Sequence, residues 1–246
     1  MVRSRTPSTR PPLTDSPNRD TTARYLAAGL LAPLIFVPSA IAAGLVTPRY
    51  GHVSATFSDS AAQGAPHPEV IGAGLILLAI CLVVFSLGFA RVMPRWKRVT
   101  RLCVLATAIS IAGTATFQDY SRASMAERNT EGYLHNAFAL IAVFSILATI
   151  ASTGIAFRGD RQWGALAPAA AVCFVIAALS GLAFNFGPDS HDGLAERVLA
   201  FSALLWVSVL SMMGLSTRYD LAQLGARLRP PCPTATIEPV LASSDD

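Results

Sequence analysis

Six apolar runs of membrane-spanning length, each followed by a polar segment, constrain this chain more than any other feature. A helix needs about 20 mostly apolar residues to cross the hydrocarbon core of a bilayer. Only 14% of the 246 residues are charged, against about 25% in soluble domains. Lipid around the helices removes the cost of exposing so much apolar surface. The sequence therefore predicts an all-α fold, a polytopic transmembrane bundle of six helices.

The runs divide the chain into three regions. Residues 1–23 and 218–246 lack apolar periodicity and are predicted to be a disordered basic arm and a disordered tail around a transmembrane domain at 24–217. Pro33 and Pro38 fall inside the first helix and predict a kink packed against neighbouring helices. The loop segment VSATFS is too short to span and predicts a re-entrant or surface piece. The predicted helices are Tyr25–Val46, Glu69–Val92, Leu102–Phe117, His135–Phe157, Gly164–Phe184 and Ala195–Thr217.

Basic residues fix the predicted orientation. With both termini on one side, that side holds fifteen of the nineteen Lys and Arg residues. Short cytoplasmic loops carry the excess of basic residues in membrane proteins. We therefore predict that both termini are cytoplasmic and that the protein is a multi-pass protein of the bacterial inner (plasma) membrane.

The remaining composition excludes several function classes. The basic charge is divided among loops and does not form a patch with aromatic residues, so nucleic acid is not an expected partner. Four cysteines show no CxxC spacing and predict buried thiols, with neither a disulfide nor a thiolate metal site. No HExxH, GxSxG, P-loop or dinucleotide motif occurs. The helix centres carry no ionisable residue, which disfavours an ion-coupled carrier.

The side opposite the termini carries all four histidines and many carboxylates. Imidazole and carboxylate groups at one depth are what a zinc site or a general acid–base pair requires. Acidic residues near helix starts also have a simpler role, since they cap free N–H groups and favour the helix dipole. His67 lies between two prolines and is predicted to be a solvated loop residue. The candidate catalytic and metal ligands are His52, Asp59 and His135, with zinc as the possible ion. The candidate ligand-binding residues are Ser54, Asp119, His191, Asp192, Glu196 and Arg197.

Several short motifs, in order and spacing, resemble those of a known family. They are GLLAPLIFV, GHVSATFSD, GAPHP, EGYLHNAFA and GLAERV, and they cover most of the chain from Ala27 to Leu215. The chain resembles the bacterial six-helix membrane proteins grouped as domain of unknown function 998. The resemblance implies a compact six-helix bundle and brings no activity, substrate or cofactor. The polar positions that match are His52, Ser54, Asp59, Asp119, His135, Glu196 and Arg197. The chain has FQDY where the family pattern leads us to expect a proline-containing segment, which makes Asp119 the weakest match.

Three functions are open at this point. The first is a membrane protein whose extracytoplasmic polar residues hold a lipid headgroup or a partner, with Arg49 and Arg197 as anion contacts. The second is a membrane-embedded, metal-dependent hydrolase that uses His52, Asp59 and His135. The third is a small-solute transporter, which requires a polar path through the bundle. Membrane lipids are the expected surroundings in each case.

Overall fold

The computed structural model describes residues 18–119 and 129–227, and within these ranges the chain is helical and contains no strand. Six helices are long and apolar enough to cross a membrane, which confirms the predicted all-α, six-span bundle. A short helix, α2, lies in the first polar loop, where VSATFS predicted a re-entrant or surface segment. The helices are α1 Asn18–Val46, α2 Phe57–Ala61, α3 Pro68–Val92, α4 Lys97–Thr116, α5 Thr130–Phe157, α6 Ala167–Phe186 and α7 Asp192–Arg227.

The helices extend beyond the apolar runs that predict them. α1 begins at Asn18, inside the predicted arm, and α7 continues to Arg227, inside the predicted tail. α4 begins at Lys97, directly after Trp96, whose left-handed backbone (φ 55°) ends the preceding turn. Hydropathy marks the part of a helix that lies in lipid, but helical hydrogen bonding continues into polar sequence until the backbone is broken. The rest of the arm, the rest of the tail and residues 120–128 lie outside the described residues.

The six spanning helices form a ring in chain order. α1 packs on α3, α3 on α4, α4 on α5, α5 on α6 and α6 on α7, and α7 returns to α1. Consecutive spanning helices are thus neighbours in the ring. Because the helices surround a centre, each one presents one face to lipid and one to the interior.

Glycines allow the closest approaches in the ring. A Cβ on Gly88 of α3 would lie 2.9 Å from the backbone nitrogen of Leu26 in α1. A Cβ on Gly113 of α4 would lie 2.4 Å from the ring of Phe138 in α5. Small residues at such contacts are typical of membrane helices, whose association depends on close packing. The small side of α4 at Gly113 therefore permits close contact with α5.

The two ends of the ring differ. We call the end formed by residues 47–67, 117–119, 129–130 and 187–191 the polar end, and the end formed by residues 93–96 and 158–166 the basic end. At the basic end, five buried rings pack on one another and close the interior. This aromatic cluster consists of Phe85, Phe89, Phe157, Trp163 and Trp206, each at most 2% exposed.

Hydrogen bonds between helices accompany the aromatic cluster. The indole N–H of Trp206 in α7 donates to Thr153 Oγ1 in α5 at 3.0 Å. Thr100 Oγ1 of α4 donates to Ser152 Oγ of α5 at 3.1 Å. Inside a membrane, such bonds satisfy polar side chains that lipid cannot. They hold α4, α5 and α7 together where the interior is closed.

Candidate functional site

A cavity of about 650 Å³ occupies the centre of the ring, and all six spanning helices line it. Its size falls within the range of about 300–1,000 Å³ typical of small-molecule sites. We call it the central cavity. Its interior wall is largely apolar, and its deepest polar side chains are the hydroxyls of Thr107 and Thr149. The apolar wall includes Phe36, Leu75, Leu78, Leu82, Val104, Ile111, Val143, Ile146, Ile150, Leu199, Leu204, Trp206 and Val207.

The central cavity ends at the aromatic cluster. Its lining on α5 runs from His135 to Ile150, which corresponds to about 22 Å of helix. That length is roughly two-thirds of the ~30 Å hydrocarbon core. Beyond Ile150 and Leu82, the interior is filled by Trp206 and the other buried rings. The cavity is therefore closed at the basic end. Its exposed lining residues are Asn185 and Asp189, which place an opening at the polar end, and Leu140 of α5, which is 48% exposed.

The opening is polar and rich in carboxylates. We call its polar lining the polar mouth. None of the described lining residues is a lysine or an arginine, so the mouth favours groups that donate hydrogen bonds or carry positive charge. The polar mouth consists of Ser58, Asp59, Asp119, His135, Asn136, Asn185, Asp189, Asp192 and Glu196.

Two of these carboxylates hold α2 at the opening. Thr56 and Asp59 form a reciprocal capping box, in which Thr56 Oγ1 accepts from Asp59 N at 3.0 Å and Asp59 accepts from Thr56 N at 2.7 Å. Glu196, in the first turns of α7, accepts from the backbone N–H of Phe57. The Phe57 ring packs edge-on against Phe36 of α1, with ring centroids 5.2 Å apart. α2 is thereby fixed over the helix bundle, and Phe57, Ser58, Asp59 and Ala61 line the cavity.

Arg197 fastens the same loop from the side. Its guanidinium donates to Ala55 O at 2.8 Å and to Tyr50 Oη at 2.6 Å, and it lies over the Phe57 ring. The Tyr50 hydroxyl in turn donates to Thr56 O at 2.9 Å. Burial raises the pKa of Tyr50 above its ordinary value, although the neighbouring Arg197 acts in the opposite direction. The guanidinium of Arg197 therefore positions the loop, and Arg197 does not line the cavity.

His135 joins three elements at the polar end. The residue is 4% exposed, and its Nδ1 lies 2.8 Å from Phe117 O and 3.1 Å from Thr114 O, at the end of α4. Both carbonyls accept, so Nδ1 carries the proton and caps the helix terminus. The other ring nitrogen, Nε2, lies 3.1 Å from Ser58 Oγ and accepts from that hydroxyl. His135 thus links α4, α5 and α2.

The structure brings some of the predicted site residues together and separates others. Asp59, Asp119, His135, Asp192 and Glu196 all line the central cavity. The other four do not. His52 and Ser54 are exposed, and the His52 ring packs edge-on against Tyr50. The remaining two are His191, which is exposed beside Ser190, and Arg197.

The three predicted metal ligands do not form one ligand set. Among the described residues, no group of three or more His, Cys, Asp and Glu side chains is arranged to hold a metal ion. His52 lies on the surface outside the cavity, Asp59 accepts in the capping box, and His135 Nδ1 donates to two carbonyls. The zinc site expected from His52, Asp59 and His135 is therefore not assembled. The sequence indicated that these residues lie at one end of the bundle, but it did not show that the His52 side chain lies outside the cavity that Asp59 and His135 line.

Four members of the polar mouth were not among the candidate site residues: Ser58, Asn136, Asn185 and Asp189. For two of them, the sequence contained an indication that they could belong to the site. Ser58 and Asn136 stand directly beside the candidates Asp59 and His135 in the motifs GHVSATFSD and EGYLHNAFA. Asn185 lies at the end of α6 and Asp189 in the short connection to α7, and where their side chains point depends on how α6 and α7 pack, which the sequence does not show.

The ring of spanning helices and a cavity that is apolar inside and polar at its opening define a multi-pass membrane protein with an internal amphipathic pocket. The chain belongs to the family described as protein of unknown function (DUF998), whose model matches residues 30–213. No curated protein and no solved structure matches it. The matched range covers α2 to α6 and the parts of α1 and α7 that build the central cavity.

Proposed function

We propose that the protein binds one amphiphilic lipid, with an apolar chain in the central cavity and a neutral or positively charged headgroup at the polar mouth. The observation that carries the proposal is the division of the cavity. Its inner part is apolar, and its polar groups are concentrated at the opening. A free polar solute would leave the inner wall unused, whereas an amphiphile matches both parts.

The headgroup determines which lipid the protein binds. The chain of a membrane lipid is already in an apolar solvent, so moving it into the cavity gains little hydrophobic free energy. Binding specificity must then come from shape and from polar contacts at the mouth. Carboxylates and amide oxygens accept hydrogen bonds, and the described lining has no lysine or arginine to balance an anionic group. A headgroup with hydroxyl or ammonium donors fits this lining, and a phosphate monoester is repelled.

The location follows from the charge distribution of the loops. The basic end carries Arg91, Arg95, Lys97, Arg98 and Arg101 around its first loop, which favours a cytoplasmic position for that end. The polar mouth would then open at the outer surface of the plasma membrane. This orientation supports the capture or presentation of a lipid from the outer leaflet.

Photoreactive lipids test the proposal. The full chain in nanodiscs would be irradiated with photoreactive diacylglycerol, whose headgroup is a hydroxyl, or with photoreactive phosphatidic acid of the same chain length. We expect strong cross-linking by diacylglycerol and at least tenfold weaker cross-linking by phosphatidic acid. Equal cross-linking by both lipids would contradict the assignment of the headgroup.

A filled cavity supplies the matched control. Ala200 and Ala203 line the cavity on α7, and the double variant Ala200→Phe, Ala203→Phe places two rings inside it. Ala171 is exposed on α6, so Ala171→Phe adds a ring on the lipid side. We expect the double variant to lose diacylglycerol cross-linking and Ala171→Phe to keep it. Retention in the double variant, once its folding has been verified by its helical spectrum, would overturn the proposal.

A further inference from the structure

We propose that Ser58 and His135 form a nucleophile–base pair that cleaves an acyl ester of the bound lipid. This inference rests on the proposed function, since the lipid in the central cavity is the substrate. It adds an activity and names the substrate class: a lipid with an ester between its apolar chain and its headgroup.

The geometry of the pair carries the inference. Ser58 Oγ lies 3.1 Å from His135 Nε2, within the reach of a serine and its general base. His135 Nδ1 donates to Phe117 O and Thr114 O. These two carbonyls hold the proton on Nδ1 and leave the lone pair of Nε2 directed at the serine hydroxyl. A base oriented by a third group is the arrangement that activates serine nucleophiles.

The position of the pair matches the position of an ester. Both side chains line the central cavity. His135 lies in the second turn of α5, and the lining of that helix is apolar from Ala139 to Ile146. The pair therefore lies at the boundary between the polar mouth and the apolar interior. In a lipid held with its headgroup at the mouth, the ester linkage lies at that boundary.

The reaction balances with groups that are present and water. Ser58 Oγ attacks the carbonyl carbon of the ester as its proton moves to His135 Nε2. The tetrahedral adduct collapses, the C–O bond to the headgroup alcohol breaks, and the alcohol leaves with the proton from Nε2. Water then attacks the Ser58 acyl ester, gives one proton to Nε2, and releases the fatty acid. The serine oxygen regains its proton from Nε2.

The same hydrogen bond has a purely structural reading, in which Ser58 only satisfies a buried imidazole. That reading predicts an unreactive serine. A long-chain alkyl fluorophosphonate distinguishes the two, because it reacts only with serines that are activated as nucleophiles. We expect covalent labelling of the full chain in nanodiscs, with one phosphonate per chain and peptide mapping to Ser58.

Three variants complete the test. Ser58→Ala should lose the label, Ser54→Ala should keep it because Ser54 is exposed outside the cavity, and His135→Gln should slow it at least a hundredfold. The helical spectrum of Ser58→Ala, measured on the same samples, should match that of the wild type and thus reports folding separately. An unlabelled wild-type chain that still cross-links the lipid would overturn the activity and leave the lipid site standing. Equal labelling of Ser58→Ala would also overturn it.

Discussion

The two ends of the central cavity use their buried polar side chains in opposite ways. At the basic end, hydroxyls and an indole pair with one another across helices, as Trp206 does with Thr153, and large rings fill the remaining space. At the polar end, Asp59, His135 and Glu196 bind backbone groups of loops and helix ends, and the space between them stays open. At the closed end the side chains pair across helices, whereas at the open end these three side chains also anchor the backbone of loops and helix ends around the opening.

Trp206→Ala should show the largest effect, because it removes the ring that closes the cavity and leaves Thr153 without its indole donor. We expect a loss of about 3–5 kcal/mol of unfolding free energy, as for other buried aromatic residues. Unfolding in mixed micelles would measure it. Trp96→Ala is the control, since Trp96 is 53% exposed. Equal losses in both variants would show that the aromatic cluster does not close the basic end.

His135→Ala should be the next most damaging change and tests the polar end. It removes the donor to Thr114 O and Phe117 O at the end of α4. Buried carbonyls left without a partner cost about 1–3 kcal/mol. His52→Ala, at an exposed position, should change stability by less than about 0.5 kcal/mol. If His52→Ala proved the more damaging of the two by the same unfolding measurement, the assignment of His135 as the joining residue would fail.

Thr56→Ala should have an intermediate effect on the opening. It removes the side chain that caps α2 and accepts from Asp59 N. Loss of such a cap costs about 1 kcal/mol, and α2 should loosen over the cavity. Hydrogen exchange of residues 57–61 would report it, with faster exchange in Thr56→Ala and near-normal exchange in Thr56→Ser. Unchanged exchange in Thr56→Ala would mean that other contacts hold α2.

Tyr50→Phe should have the smallest effect. It removes the hydroxyl between Arg197 and Thr56 O, at a cost of about 0.5–1.5 kcal/mol. Because the folded-state pKa of Tyr50 is raised, its contribution is present below pH of about 10 and is lost as pH rises through the folded pKa. Wild type should therefore lose more stability than Tyr50→Phe above pH 10. Parallel pH curves for the two proteins would contradict this.

Apolar run length and spacing were enough to predict the fold, since each run of about 20 residues became one of the spanning helices. The site was only partly predictable. Glu196, at the start of the sixth predicted span, and Asp59, after the first, were recognised as candidates, and both accept hydrogen bonds from backbone N–H groups at the start of α2. His52 and His135 looked equivalent in sequence, yet one is exposed and the other is buried. That difference arises from how the first polar loop folds over the helix bundle, and the hydropathy pattern does not predict this loop conformation.

The position of the lipid chain tests the central claim most directly. A diacylglycerol with a photoreactive group at the end of its acyl chain would be cross-linked to the full chain in nanodiscs, and the modified residues would be mapped by mass spectrometry. We expect cross-links at the deep cavity wall, at Leu82, Ile150 and Val207. Cross-links confined to lipid-facing side chains such as Leu34 and Phe144, which are each 68% exposed, would show that the cavity does not hold the lipid.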